Sequence, residues 1–67
     1  MNVIKEKIEA YINDVYVEMK RRGFNSEEIP AIIGKTGFID AAYQFPELQM
    51  HYDVEDAVDE ILTIASS

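Results

Sequence analysis

The feature that most constrains the fold is an apolar stripe at helical spacing near the start of the chain. Apolar side chains recur every three or four residues over about five turns, at Ile4, Ile8, Tyr11, Ile12, Val15 and Met19. Asn2 is suited to cap the start of such a helix. The cations of KRRG, followed by Gly23, are typical of its end. The pattern therefore predicts a helix over residues 3–22.

A second helix is predicted from a capping pattern. In NSEE, Asn25 stands three residues before Glu28, the spacing of a capping box, in which each side chain bonds the backbone amide of the other residue. Residues 26–34 are therefore predicted to be helical. Pro30 lacks a backbone donor and crowds the preceding turn, so a distorted or late start is expected.

Two more helices are predicted in the second half of the chain. Thr36 is expected to cap a third helix over residues 37–45, which ends there because the residue before Pro46 is driven out of the helical region. Pro46 suits the first position of one further turn. Asp53 is expected to cap a last helix over residues 54–65. The predicted core face of the third helix consists of Phe38, Ala42 and Phe45, with Ile39 and Tyr43 beside it. The predicted core face of the last helix consists of Val54, Val58, Ile61, Leu62 and Ala65.

These segments together predict an all-α fold. We expect a single domain over residues 1–67, a small bundle of four helices whose two short middle members form a helix-turn-helix-like hairpin. Cysteine is absent, which excludes disulfides, thiolate zinc ligands and cysteine nucleophiles. The N-terminal segment is too charged for a signal peptide or a membrane span. A cytoplasmic protein is therefore expected.

Charge is distributed unevenly along the chain. The formal net charge is −7, yet the acids and bases of residues 1–35 cancel. Residues 36–67 contain seven acids and no Lys or Arg: Asp40, Glu47, Asp53, Glu55, Asp56, Asp59 and Glu60. This half is therefore expected to carry a negative field, which repels nucleic acid and attracts basic partners.

Enzymatic and cofactor-binding functions have little support in the sequence. In IIGKTGF, residues 34–36 match the end of a phosphate-binding loop, but Ile29 stands where the first glycine is required, and a capped acidic helix precedes it instead of a buried strand. His51 is the only histidine, and a metal site built on one imidazole without thiols would be weak. No catalytic, cofactor-binding or metal-binding residue is predicted, and the chain is not expected to be an enzyme.

A small dimeric DNA-binding protein is the alternative function. Residues 26–45 have the outline of a helix-turn-helix, with a basic edge at residues 20–22 and Lys35. The helix that would enter the groove carries Asp40 and Gln44 but no Lys or Arg. DNA-binding proteins usually neutralise several phosphates, so nucleic acid is the less favoured partner.

The favoured hypothesis is a non-enzymatic regulator, adaptor or inhibitor. It would bind a basic surface of a larger macromolecule, another protein above all, through its acidic C-terminal half. Solubility alone is the competing explanation of the same charge. The predicted partner-binding residues are Asp53, Asp56, Asp59 and Glu60, with Tyr43, Phe45 and Tyr52 as anchors if they are exposed.

A homodimer is a further hypothesis. Val3, Ala10 and Val17 recur every seven residues away from the main stripe, and Phe24 falls at the next interval. We expect these residues to pack on the shorter helices of the same chain or, alternatively, to form a seam with a second copy, the former being favoured. An obligate oligomer would point instead to a purely structural subunit.

Overall fold

Between residues 3 and 67 the chain folds into five helices. The computed structural model describes residues 3–67, and within that range it contains no β-strand. The helices are α1 (Val3–Arg21), α2 (Glu28–Thr36), α3 (Phe38–Gln44), α4 (Pro46–Gln49) and α5 (Val54–Ala65). The all-α prediction is confirmed, and the four predicted helices correspond to α1, α2, α3 and α5, with α4 as the further turn after Pro46. The predicted cap at Asn2 lies outside the described residues.

Helix α1 ends near the predicted residue, and Gly23 is the cause. The φ angle of Gly23 is 105°, in the left-handed region that favours glycine. Its amide donates to the carbonyl of Lys20 (3.0 Å), and the amide of Phe24 donates to the carbonyl of Met19 (3.1 Å). This is the bonding pattern of a Schellman motif, which turns the chain back on the helix. Phe24 is thereby packed, partly buried, against the core.

The start of α2 is held by the predicted capping box. The side-chain oxygen of Asn25 accepts hydrogen bonds from the amides of Glu27 (3.0 Å) and Glu28 (2.8 Å). In return, the amide of Asn25 donates to the carboxylate of Glu28 (3.3 Å). The regular helix begins only at Glu28, which agrees with the late start expected from Pro30.

The boundary between α2 and α3 differs from the prediction. Gly34 lies inside α2, and Gly37, whose φ angle is 70°, is the residue that follows and caps the helix. Thr36 is therefore the last residue of α2 and not the residue that precedes α3. Its hydroxyl still accepts a hydrogen bond from the amide of Phe38 (3.2 Å) while donating to the carbonyl of Ile33 (2.7 Å). One left-handed glycine thus joins the two helices.

The core is formed by side chains from α1, α2, α3 and α5. Its buried members are Ile8, Val15, Met19, Ile29, Ile33, Phe38, Ala42, Ala57, Val58 and Ile61. Helix α5 packs against both α1 and α2, and α3 packs against α1, α2 and α4. The predicted faces of α1 and α5 therefore do point into the core, and Ala57 is a core residue that the predicted face of α5 omitted.

Two residues of the predicted core faces are exposed instead. Ile4 is 57% exposed, because Ile8 is the first α1 residue that the rest of the fold covers. Phe45 is also 57% exposed. It follows the last residue of α3 with a φ angle of −131°, so its side chain leaves the helical face that carries Phe38 and Ala42.

Candidate interaction surface

An ionic cluster at the end of α1 is built around Glu18. This is the one charged side chain that is buried within residues 3–67. Its carboxylate accepts two hydrogen bonds from Arg21 (2.9 and 3.0 Å) and one from Nε of Arg22 (2.8 Å). The hydrogen bonds from Arg21 and then Arg22 lower the pKa of Glu18 to about 2. Glu18 is therefore an anion at neutral pH.

Arg22 carries this cluster across to α5. Its Nη1 donates to Oδ1 of Asp59 (2.7 Å), and its Nη2 donates to the carbonyl of Glu55 (3.2 Å). Asp59 is therefore paired with a base just after α1, although residues 36–67 contain no Lys or Arg of their own. Arg21 and Arg22, the two arginines of the predicted basic edge, therefore both form ion pairs with acids of this chain.

The Glu18 cluster makes a prediction about acid unfolding. A carboxylate with a lowered folded-state pKa contributes stability that is present above its usual pKa and is lost as the pH falls through the folded value. For Glu18 that window lies between about pH 4.5 and pH 2. Urea unfolding is measured at a series of pH values from 7 to 2. Glu18→Gln is expected to lower the midpoint urea concentration at pH 7, and this midpoint is expected to fall less steeply than that of the wild type between about pH 4.5 and pH 2.

The matched control for Glu18→Gln is Glu6→Gln. Glu6 lies on the same helix, is exposed and forms no ion pair with any residue from 3 to 67. Its substitution is expected to leave the unfolding midpoints close to those of the wild type. A Glu18→Gln profile parallel to the wild-type profile would contradict the assigned role of the cluster.

The predicted partner-binding acids lie along α5, and all of them are exposed. We call Asp53, Glu55, Asp56, Asp59 and Glu60 the acidic face. Asp53 occupies the residue before α5, and its backbone carbonyl accepts from the amide of Ala57 (2.9 Å), but its carboxylate makes no capping bond. The predicted side-chain cap is therefore absent, and the carboxylate is left to solvent. Within residues 3–67, only Asp59 of the acidic face forms an ion pair.

Tyr11 fixes the edge of the acidic face to α1. Its hydroxyl donates to the backbone carbonyl of Tyr52 (2.9 Å), just before the start of α5. Burial, and then the negative charges of Asp53 and Asp56, raise the pKa of Tyr11. The carboxylates of Asp53 and Asp56 therefore interact electrostatically with the Tyr11 hydroxyl that donates to Tyr52.

The three predicted aromatic anchors are exposed, but the fold separates them. Tyr43 lines a shallow groove between α1 and α3, together with Ile12 and Tyr16. Phe45 borders a different depression beside α4. Tyr52 alone shares a depression with a residue of the acidic face, namely Glu60. Only Tyr52 is therefore placed to act together with the acids.

The depression shared by Tyr52 and Glu60 is a small, mostly apolar cleft between α3 and α5, whose lining also includes Thr36 and Gln49. Its volume is about 200 Å³. Its inner wall consists of buried core residues, namely Phe38, Ala57 and Ile61, with Ala41 beside them. Tyr52 and Ile64, 52% and 45% exposed, lie at its rim with Glu60. The arrangement joins an apolar recess to the negative charge of α5, a feature that the helical pattern of either segment alone does not reveal.

Comparison with protein-family models, curated proteins and solved structures gives no match. The function of this chain is therefore inferred from its own surface chemistry.

The other candidate sites of the sequence offer little chemistry. Residues 34–36 are the last turn of α2, so they do not form a phosphate-binding loop. His51 is exposed, and its ring lies edge-on to that of Tyr52 at 6.2 Å. Residues 3–67 contain no group of three His, Cys, Asp or Glu side chains able to hold a metal ion. None of their helices is both long enough and apolar enough to cross a bilayer.

The residues predicted for self-association divide into two groups. Val3, Ala10 and Val17 are exposed on α1, so the shorter helices do not cover them, contrary to the favoured interpretation. Phe24 is partly buried and packs on the core through the turn at Gly23. The predicted seam is thus reduced to three small or medium side chains, and whether a second copy covers them stays a prediction.

Proposed function

We propose that this chain is a non-enzymatic, cytoplasmic interaction protein that binds a basic surface of a larger protein through its acidic face. Such a protein acts as a regulator, an adaptor or an inhibitor, because it adds or blocks a surface and performs no chemistry. The exposed acids favour fast, electrostatically steered association with a positively charged partner.

One observation carries the proposal. Asp53, Asp56 and Glu60 are exposed and unpaired within residues 3–67, and Glu60 lines a cleft that contains exposed apolar surface at Tyr52 and Ile64. A surface that serves only solubility needs charge but no neighbouring apolar recess. Charge next to exposed aromatic and aliphatic side chains is typical of protein-binding surfaces.

The DNA-binding alternative loses its main support. The basic edge was its source of phosphate contacts, but Arg21 and Arg22 are hydrogen-bonded to Glu18, and Arg22 also to Asp59. Helix α3 has seven residues, and its apolar side chains Phe38 and Ala42 are buried. Lys20 and Lys35 are exposed, but two cations give a weak phosphate-binding surface beside a net charge of −7.

Charge reversal on the acidic face tests the proposal. The double variant Asp56→Lys/Glu60→Lys is expected to weaken binding to a fluorescein-labelled oligolysine peptide by at least about tenfold at low salt, because attraction is replaced by repulsion. Wild-type binding to the same peptide is expected to weaken as salt is raised, since exposed charges are screened. Fluorescence anisotropy measures both effects.

The matched control is Glu6→Lys/Asp14→Lys. Both of these residues are exposed on α1, and their reversal changes the net charge by the same amount. This variant is expected to retain most of the affinity for oligolysine. Equal losses of affinity in the two double variants would mean that the acidic face acts only through the net charge of the protein, which would contradict the proposal. Binding of the wild type to duplex DNA, without binding to oligolysine, would contradict the proposal and favour the helix-turn-helix alternative.

A further inference from the structure

We propose that the cleft between α3 and α5 is the anchor site for a basic peptide segment, which inserts one large apolar side chain against Phe38 and Ile61 while its Lys or Arg side chains pair with Glu60 and Asp56. This inference rests on the proposed function and adds to it the chemistry of the partner. The occupant is a segment of another protein with one apolar residue flanked by bases.

The size of the cleft fits one side chain. Its volume is about 200 Å³, slightly more than the cavity of about 150 Å³ that holds a benzene molecule in an apolar protein interior. Among residues 3–67, Glu60 is the only charged residue that lines the cleft, beside the polar side chains of Thr36, Gln49 and Tyr52. Pockets for drug-sized ligands begin at about 300 Å³, so the cleft is smaller than such a pocket. A small-molecule substrate or cofactor is therefore a poorer fit than a phenyl or leucyl side chain.

The charge around the cleft selects a basic occupant. Asp53, Asp56 and Glu60 stand at intervals of three and four residues, which keeps them near one side of α5. Seven residues of helix span about 10 Å, so the row reaches two helical turns from the cleft. Asp59, by contrast, is already neutralised by Arg22. Cations next to an inserted apolar residue would therefore find unpaired carboxylates along α5.

A second copy of this chain fits the cleft less well. Each copy has a net charge of −7 and carries its excess acids in residues 36–67. The residues predicted for self-association, Val3, Ala10 and Val17, lie on α1, whereas the lining residues of the cleft lie on α2, α3, α5 and the segment that joins α3 to α5. The cleft thus belongs to the surface proposed for a basic partner.

Two labelled peptides test the inference, and each has 12 residues, the length of α5. Both alternate Lys with Ser; the anchored peptide has a central Phe, and the unanchored peptide has Ser in its place. Anisotropy titrations of the wild type are expected to give at least about tenfold tighter binding of the anchored peptide, as burial of one large apolar side chain implies. In Ala41→Leu, where the added atoms occupy the cleft, this ratio is expected to fall close to one, with the affinity for the unanchored peptide unchanged.

The outcomes separate the inference from the proposed function. Equal affinity of the wild type for both peptides, together with loss of both in Asp56→Lys/Glu60→Lys, would overturn the cleft as anchor site and leave the proposed function standing. Insensitivity of both affinities to charge reversal would overturn the proposed function itself. Should Ala41→Leu fail to fold, amide chemical shifts of the wild type decide: the anchored peptide alone is expected to shift residues 38–41 and 61–64, and identical shifts with both peptides would overturn the inference.

Discussion

Replacing Ile61 with alanine is expected to lower the free energy of unfolding by about 2–5 kcal/mol, because it removes buried methyl groups and leaves a cavity. Ile61 is 2% exposed and belongs to the core formed with α1, α2 and α3. A domain of 67 residues has a total stability of about 3–10 kcal/mol. The variant is therefore expected to lose a large part of its stability, measured by urea unfolding with circular dichroism.

Ile64 provides a control within the same helix. Ile64→Ala removes the same atoms three residues further along α5, but Ile64 is 45% exposed. Its loss is expected to change the free energy of unfolding by no more than about 0.5 kcal/mol. Equal effects of the two substitutions would mean that α5 buries a different face from the one described, and the cleft would then have no wall at Ile61.

Local patterns predicted most of the fold. The apolar stripe of the first helix correctly placed Ile8, Val15 and Met19 in the core, because helical periodicity is set within a few turns. It failed at Ile4, because burial also depends on how far the neighbouring helices extend. The apolar pattern of the third helix failed at Phe45, where the chain leaves the helix before Pro46. Periodicity assigns a face to a helix, but only the packing of several helices decides how much of that face is covered.

The candidate site was predicted only in part, for a similar reason. The excess of acids after residue 35 is visible in the sequence, and the acidic face is exposed as expected. The ion pair between Arg22 and Asp59 joins residues that are 37 positions apart, so no local sequence pattern predicts it. The separation of Tyr43 and Phe45 from Tyr52 likewise follows from tertiary packing. The sequence thus supplied the charge of the site, and the fold supplied its apolar part.

The predicted boundaries placed Gly34 at the end of the second helix and Gly37 at the start of the third, whereas the fold gives the two glycines other roles. Gly37 has a φ angle of 70° and joins α2 to α3, but Gly34 is helical. Gly37→Ala is therefore expected to lower the free energy of unfolding by about 1–2 kcal/mol, the cost of a side chain in the left-handed region. Apart from its two chain neighbours, a new Cβ at Gly37 would meet no atom within 4 Å, so this cost comes from the local backbone and not from a clash with another part of the fold. Thermal and urea unfolding measure it.

Gly34→Ala is the matched substitution, and its effect is expected to have the opposite sign. Apart from its chain neighbours and the backbone of α2, the added methyl group has no neighbour within 4 Å. Alanine in a helix is favoured over glycine by about 0.5–1 kcal/mol, because it restricts the unfolded chain. Each variant adds one methyl group to the wild type, and the two positions are three residues apart. Stabilisation by Gly37→Ala, or destabilisation by Gly34→Ala, would contradict the boundary between α2 and α3. That boundary orients Phe38 and Ala41 on α3, so an error there would also remove one wall of the proposed anchor site.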